Sequence, residues 1–152
     1  MLKLLTKHFG EITYGDDEVI TFPAGLPGFP EASRFVLLSG ETPNALFHWL
    51  QCIDDSELAF TLVDIYQVMP DYDPQVEQEE LKDLGDLAGS PLEVFNIAVI
   101  PEEISQMRVN LMAPLVINPV TRLGKQIIVS NEAYKIQHFI FEEIEKTQKK
   151  QN

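Results

Sequence analysis

The sequence predicts a mainly β domain, a small barrel or sandwich with few helices, and three observations carry that expectation. Ten prolines and eight glycines break the chain at short intervals, which leaves little room for long helices. Between the breaks lie short segments rich in β-branched and aromatic residues. In Phe47-His48-Trp49-Leu50-Gln51-Cys52-Ile53, apolar residues occupy both alternating sets, the pattern of a strand buried in part on both faces.

Taken in order, the strand segments are Val19-Ile20-Thr21-Phe22, Phe35-Val36-Leu37-Leu38, Phe47 to Ile53, Ala59-Phe60-Thr61-Leu62-Val63 and Val94 to Ile100. Leu115-Val116-Ile117 and Gln126-Ile127-Ile128-Val129 complete the set. Val120 to Lys125 reads as a hairpin connection between the last two, with Gly124 available for a positive φ. Two places break the β pattern. From Asp71 to Asp86 the chain holds seven acids and one Lys, and its second half predicts a short helix stopped by Gly85, with Val76, Leu81 and Leu84 as a thin apolar stripe. At the end, Ile136, Phe139, Ile140 and Ile144 have helical spacing, which predicts a C-terminal helix.

A chain of 152 residues suits one domain, and no repeat or low-complexity linker divides it. We place the domain at residues 1–141 and a short charged tail at 142–152. The tail carries three acids and three lysines, so the net charge of 11 − 24 = −13 belongs to the domain. Such a field repels nucleic-acid backbones, which argues against direct DNA or RNA binding. It attracts basic proteins, although an acidic surface kept for solubility has the same composition. A lone cysteine, Cys52, excludes an intramolecular disulfide and favours a reducing compartment. The segment Met1 to Lys7 lacks the apolar stretch of a signal peptide, and no apolar run approaches the ~18 residues of a membrane span. These features point to a cytoplasmic protein without membrane association.

Catalytic and metal signatures are missing. His8, His48 and His138 are scattered, and no metal-ligand spacing links them to each other or to Cys52. Asp54, Asp55 and Glu57 are explained by a polar turn at a strand end. Gly25-Leu26-Pro27-Gly28 lacks the Gly-Lys-Ser/Thr ending of a phosphate cradle. The expectation is a protein with no enzymatic activity, no metal and no cofactor. The segment Phe22-Pro23-Ala24-Gly25-Leu26-Pro27-Gly28-Phe29-Pro30 still needs a reason. Three prolines stiffen it, two glycines release it, and the resulting loop either plugs a core or presents Leu26 and Phe29 to a partner.

Phe22-x-x-Gly25-Leu26-Pro27-Gly28-Phe29, Leu50-Gln51, Ala59-Phe60, Asn110-Leu111-x-Ala113-Pro114-Leu115-Val116-Ile117-Asn118 and Arg122-x-Gly124-Lys125-Gln126 occur in one order along the chain. Together they resemble the flagellar assembly factor FliW family from about Met1 to Tyr134. The resemblance implies a small antiparallel β-barrel-like single domain with one or two short helices and a C-terminal helix. It also implies a monomeric, non-enzymatic protein that binds flagellin and antagonises the basic RNA-binding translational regulator CsrA, so that flagellin level feeds back on flagellin translation. A dedicated cytoplasmic flagellin chaperone without a CsrA role is the alternative. On this reading Asp71, Asp73, Glu77, Glu79, Glu80, Asp83 and Asp86 face CsrA, and Leu26 and Phe29 anchor a partner.

Overall fold

The computed structural model describes residues 1–26, 28–40 and 45–151, with side chains through Thr147. Strands β1 (Leu2–Thr6) and β2 (Gly10–Tyr14) form a separate hairpin. The main sheet follows with β3 (Val19–Thr21), β4 (Arg34–Ser39), β5 (Phe47–Cys52) and β6 (Ala59–Val63). After a four-residue helix α1 (Gln78–Leu81) come β7 (Glu93–Val99), β8 (Arg108–Val109), β9 (Leu115–Asn118), β10 (Leu123–Gln126) and β11 (His138–Phe139). Helix α2 (Phe141–Gln151) ends the described chain.

Strands β7, β6, β5, β4, β3, β10 and β9 close into a seven-stranded barrel, because β7 pairs β6 on one side and β9 on the other. The first half of β7, Glu93 to Phe95, faces β9, and its end, Ala98 and Val99, carries β8, with β11 outside that. All pairings are antiparallel except the contact of β3 with β10, which joins Leu123 to Thr21 alone.

Period-two alternation supplies the interior. Ile20, Phe22, Phe35, Leu50, Cys52, Leu62, Phe95, Leu115 and Ile117 point inward and exclude water. Each such apolar side chain contributes roughly 1.5–3 kcal/mol on burial. The opposite face of β5 is covered as well: Trp49 lies 5.8 Å from Phe9 of the β1–β2 turn, and Gln51 is fully buried beneath the turn after β5, where its amide donates to the Ser56 carbonyl. A second cluster, including Val63, Val109, Leu111, Ile140 and Ile144, packs under α2. A third, of Leu84, Val116, Ile127 and Val129, lies on the outer face of β9 and β10.

Three sequence expectations change. Helix α2 begins at Phe141 rather than near Ile136, because the preceding backbone is committed to the sheet. Lys135 accepts from the Leu111 N–H, β11 pairs β8, and the Ile140 N–H donates to Met107. Ile136 and Phe139 are accordingly 62% and 55% exposed, while Ile140 and Ile144 are buried. The strand after the hairpin, β10, covers Leu123 to Gln126 instead of Gln126 to Val129. Its ladder weakens where Pro114, which has no N–H to return, faces Ile127. In the hairpin, the positive φ of +60° falls on Arg122. Gly124 is required by packing: a Cβ there would stand 2.5 Å from the Phe22 ring. Strands β1 and β2 have no counterpart among the sequence expectations, and their Leu2 and Leu5 are largely exposed.

Candidate protein-binding surface

The Pro/Gly loop folds back on itself beside the end of β3. Phe22 is buried and its N–H donates to Ser33 at 2.7 Å. The Gly25 N–H donates to Phe22 at 2.8 Å, and Gly25 adopts φ +69° with the Pro30 backbone so close that a Cβ would stand 2.5 Å from the Pro30 oxygen. Leu26 and Phe29 then exchange both backbone hydrogen bonds, at 3.2 and 2.7 Å. This geometry separates the two side chains. Leu26 is 2% exposed and belongs to the barrel core. Phe29 is 44% exposed and meets Phe60 edge to face, with ring centroids 5.6 Å apart.

The acidic stretch is fastened at both ends. At its start the Tyr72 hydroxyl donates to Leu111 at 2.6 Å and accepts from the Asn96 amide at 3.2 Å. Burial pushes this phenol up to about 12, so it remains a donor throughout the physiological range. The Asp73 N–H donates to the Tyr134 hydroxyl at 2.7 Å. At the far end, α1 tightens into a 3-10 turn at Lys82–Leu84 and stops at Gly85, φ +83°. The orphan carbonyls of that end need donors. Asn118 supplies them to Leu84, Gly85 and Asp86 at 3.0, 3.3 and 3.2 Å, and the Thr121 hydroxyl donates to Leu84 at 2.6 Å. Leu84, with Val76 and Leu81, is pressed onto Val116, Ile127 and Val129, the apolar stripe that the sequence predicts.

Clamped in this way, the segment turns its charge outward. Asp71, Asp73, Glu77, Glu79, Glu80, Asp83 and Asp86 are all exposed. Lys125 reaches Glu80 at 3.2 Å and Asp83 at 3.3 Å, and the hydrogen bond to Glu80 raises its ammonium above the ordinary lysine value. Lys82 pairs with Glu79 at 3.0 Å. Among the described residues, Asp71, Asp73, Glu77 and Asp86 have no ion-pair partner. Asp73 and Asp86 accept from the N–H groups of Gln75 and Ala88, so both also shape turns.

Loop and acidic segment meet at a groove of about 390 Å³, where Leu26 and Leu84 contribute the floor, Asp83 and Lys125 a rim, and Ile128 an exposed wall. Phe29 opens instead onto a second depression of about 480 Å³ beside Asp54 and Asp55. Asp71 lies apart from both, beside Tyr72 and Tyr134. Ile128, which the sequence presents as an ordinary strand residue, is 76% exposed. Its neighbour Ile127 is buried, and nothing in composition separates the two.

The remaining polar residues have structural employment. Asp54 pairs with Arg34 at 2.6 Å, and Asp55 accepts from the Glu57 N–H. His48 bonds Ser39 and His138 bonds Glu143. Cys52 is buried, and desolvation pushes its thiol up, away from the reactive thiolate. Among the described residues no group of three or more His, Cys, Asp or Glu is arranged to hold a metal, and no helix is long and apolar enough to cross a membrane.

The family model described as FliW protein matches residues 3–140. A flagellar assembly factor FliW from Alkaliphilus metalliredigens is 40% identical over 149 residues, covering 98% of this chain and 92% of the relative. One from Caldanaerobacter subterraneus is 40% identical over 143 residues, covering 94% and 95%. A crystal structure of the flagellar assembly factor FliW is similar with a TM-score of 0.81 and 33% identity, over 91% of this chain and 96% of that one.

Proposed function

The chain belongs to the FliW family, and on that premise we propose that it is a cytoplasmic flagellar assembly factor that acts by holding proteins rather than by catalysis. It binds flagellin and antagonises CsrA, and partition between the two couples flagellin level to flagellin translation. The observation that carries this reading is the acidic segment: seven exposed carboxylates on a stretch fastened at both ends, only three of them paired with lysine among the described residues. A fastened segment with so large an excess of acids favours encounter with a basic protein and opposes RNA beside it.

Titration of the protein with purified flagellin, and separately with purified CsrA, tests the proposal. Binding of both, with RNA released from CsrA, is the expected result. Binding of flagellin alone would establish the dedicated chaperone instead, and binding of neither would overturn both readings. The two affinities should also respond differently to salt. Raising ionic strength from about 0.1 to about 1 M shortens the Debye length from about 10 to about 3 Å, which weakens charge-led binding of CsrA more than apolar binding of flagellin. Equal salt dependence would remove the distinction.

A further inference from the structure

The barrel closes through one weak seam. Strands β3 and β10 share the single register pair Leu123–Thr21, because the chain leaves β3 at Phe22 and enters the Pro/Gly loop. The other side of β10 is paired with β9, and the ladder continues as the N–H groups of Ile127 and Val129 donate to Pro114 and Met112. In an antiparallel ladder, alternate residues turn their backbone groups to opposite sides. Odd positions here face β9, so Gln126 and Ile128 turn theirs to the seam. Arg122, of the same parity, shows the direction: its carbonyl accepts the Thr21 N–H at 2.9 Å. Among the described residues the backbone of Ile128 has no hydrogen-bond partner. Beside it lies the 390 Å³ groove, and Gln126, which lines it, has a buried Oε1 without a partner among those residues.

We propose that this seam is a strand-addition site. An extended segment of a partner protein pairs with the backbone of Gln126 and Ile128 and sets an apolar side chain into the groove against Leu26 and Leu84. The inference rests on the reading that the protein acts by holding partners, and it names how one of them is held. An extended backbone is the occupant that satisfies N–H and C=O groups which a strand turns toward an open edge, as Ile128 does here. A second copy is disfavoured, since two chains of −13 repel. At the rim Lys125 is already paired with Asp83 of the lining and with Glu80 just outside it, which leaves this edge of the groove net acidic, so the segment carries Lys or Arg beside its apolar anchor.

Substitution at Ile128 separates backbone from side-chain recognition. Ile128→Pro deletes a donor with no partner among the described residues and fixes a φ that a strand edge tolerates. Ile128→Thr retains the N–H and the β-branch. With purified flagellin as the probe, Ile128→Pro should weaken binding at least ~10-fold at an unchanged unfolding midpoint, and Ile128→Thr by less than ~3-fold. In the complex with the unaltered chain, amide exchange at Gln126 and Ile128 should slow at least ~10-fold. This exchange reading decides the matter if the proline variant fails to fold. A complex that leaves those amides unchanged, or a folded proline variant that binds as well as the parent, overturns the inference while leaving the partner reading intact. Absence of any complex overturns the partner reading and the inference with it, and self-association through these amides would overturn the partner segment in favour of a second copy.

Discussion

Leu26→Ala should lower the stability of the barrel by about 2–5 kcal/mol, the range for emptying a buried leucine site. For a chain of this size that corresponds to a fall of roughly 4–20 °C in Tm. The side chain is 2% exposed among Phe22, Phe35, Leu115 and other inward residues, and the loop that carries it has little freedom to collapse into the space left behind. Gly25 is held against Pro30, and the exchange of backbone hydrogen bonds between Leu26 and Phe29 fixes the turn. Phe29→Ala is the contrasting case. Its ring is half exposed and its main neighbour is Phe60, an edge-to-face contact of roughly 0.5–1.5 kcal/mol. Urea denaturation of the two variants checks the difference, and equal midpoints would remove Leu26 from the core. If Phe29 anchors a partner, Phe29→Ala weakens binding at near-parental stability, while Leu26→Ala weakens it in proportion to the unfolded fraction.

The barrel is legible in the sequence because its strands carry the signal that periodicity detects: apolar runs bounded by Pro and Gly, several of them buried on one or both faces. Elements that bury little leave no such trace. The β1–β2 hairpin fully buries only Tyr14 among its apolar side chains, and β8 and β11 are two residues each, stabilised by position in the sheet rather than by composition. The C-terminal helix is visible through Ile140 and Ile144. Its start is hidden because Ile136 and Phe139 match helical spacing while the backbone around them is spent on pairing, Lys135 with Leu111 and Phe139 with β8. Gly124 shows the same limit at a single residue. Sequence suggests a glycine in a hairpin for its φ, and only the approach of the Phe22 ring reveals that the missing atom is what the barrel needs.

Composition makes the acidic segment legible, together with its helical turn, its stop at Gly85 and its apolar stripe. What fastens it is not. The donors and acceptors that hold its ends, Tyr134, Asn118 and Thr121, come from residues more than thirty positions away, and no local pattern links them to Asp73 or Leu84. The loop around Leu26 and Phe29 is unusual by composition, yet its stiffness serves to place one side chain in the core and the other at the surface. Neither Ile128 nor the open backbone beside it can be seen without knowing that β3 ends after three residues.

The combined substitution Asp71→Asn, Asp73→Asn, Glu79→Gln and Glu80→Gln should leave the fold intact and remove much of the ability to displace RNA from CsrA. Amides preserve size, and an amide oxygen in place of the Asp73 carboxylate would still accept from the Gln75 N–H. Two exposed ion pairs disappear, Lys82–Glu79 and Lys125–Glu80, but such pairs are worth about 0–1 kcal/mol, and Lys125 retains Asp83. Loss of like-charge repulsion along the segment offsets part of that. Functionally, four charges acting across solvent at roughly 0.5 kcal/mol each amount to about 2 kcal/mol, a change of about 30-fold in the apparent affinity for the basic partner. The deficit should shrink toward about 1 M salt, where the Debye length falls to about 3 Å. Flagellin binding should change by less than about 3-fold, since the groove at Leu26 and Ile128 keeps its apolar floor and Asp83 and loses only the charge of Glu80 beside its edge. Competition between labelled RNA and the protein for CsrA at low and high salt reads both effects. A variant that displaces RNA as well as the parent at low salt would reduce the segment to a solvated surface and send the search for the CsrA site to another face of the barrel.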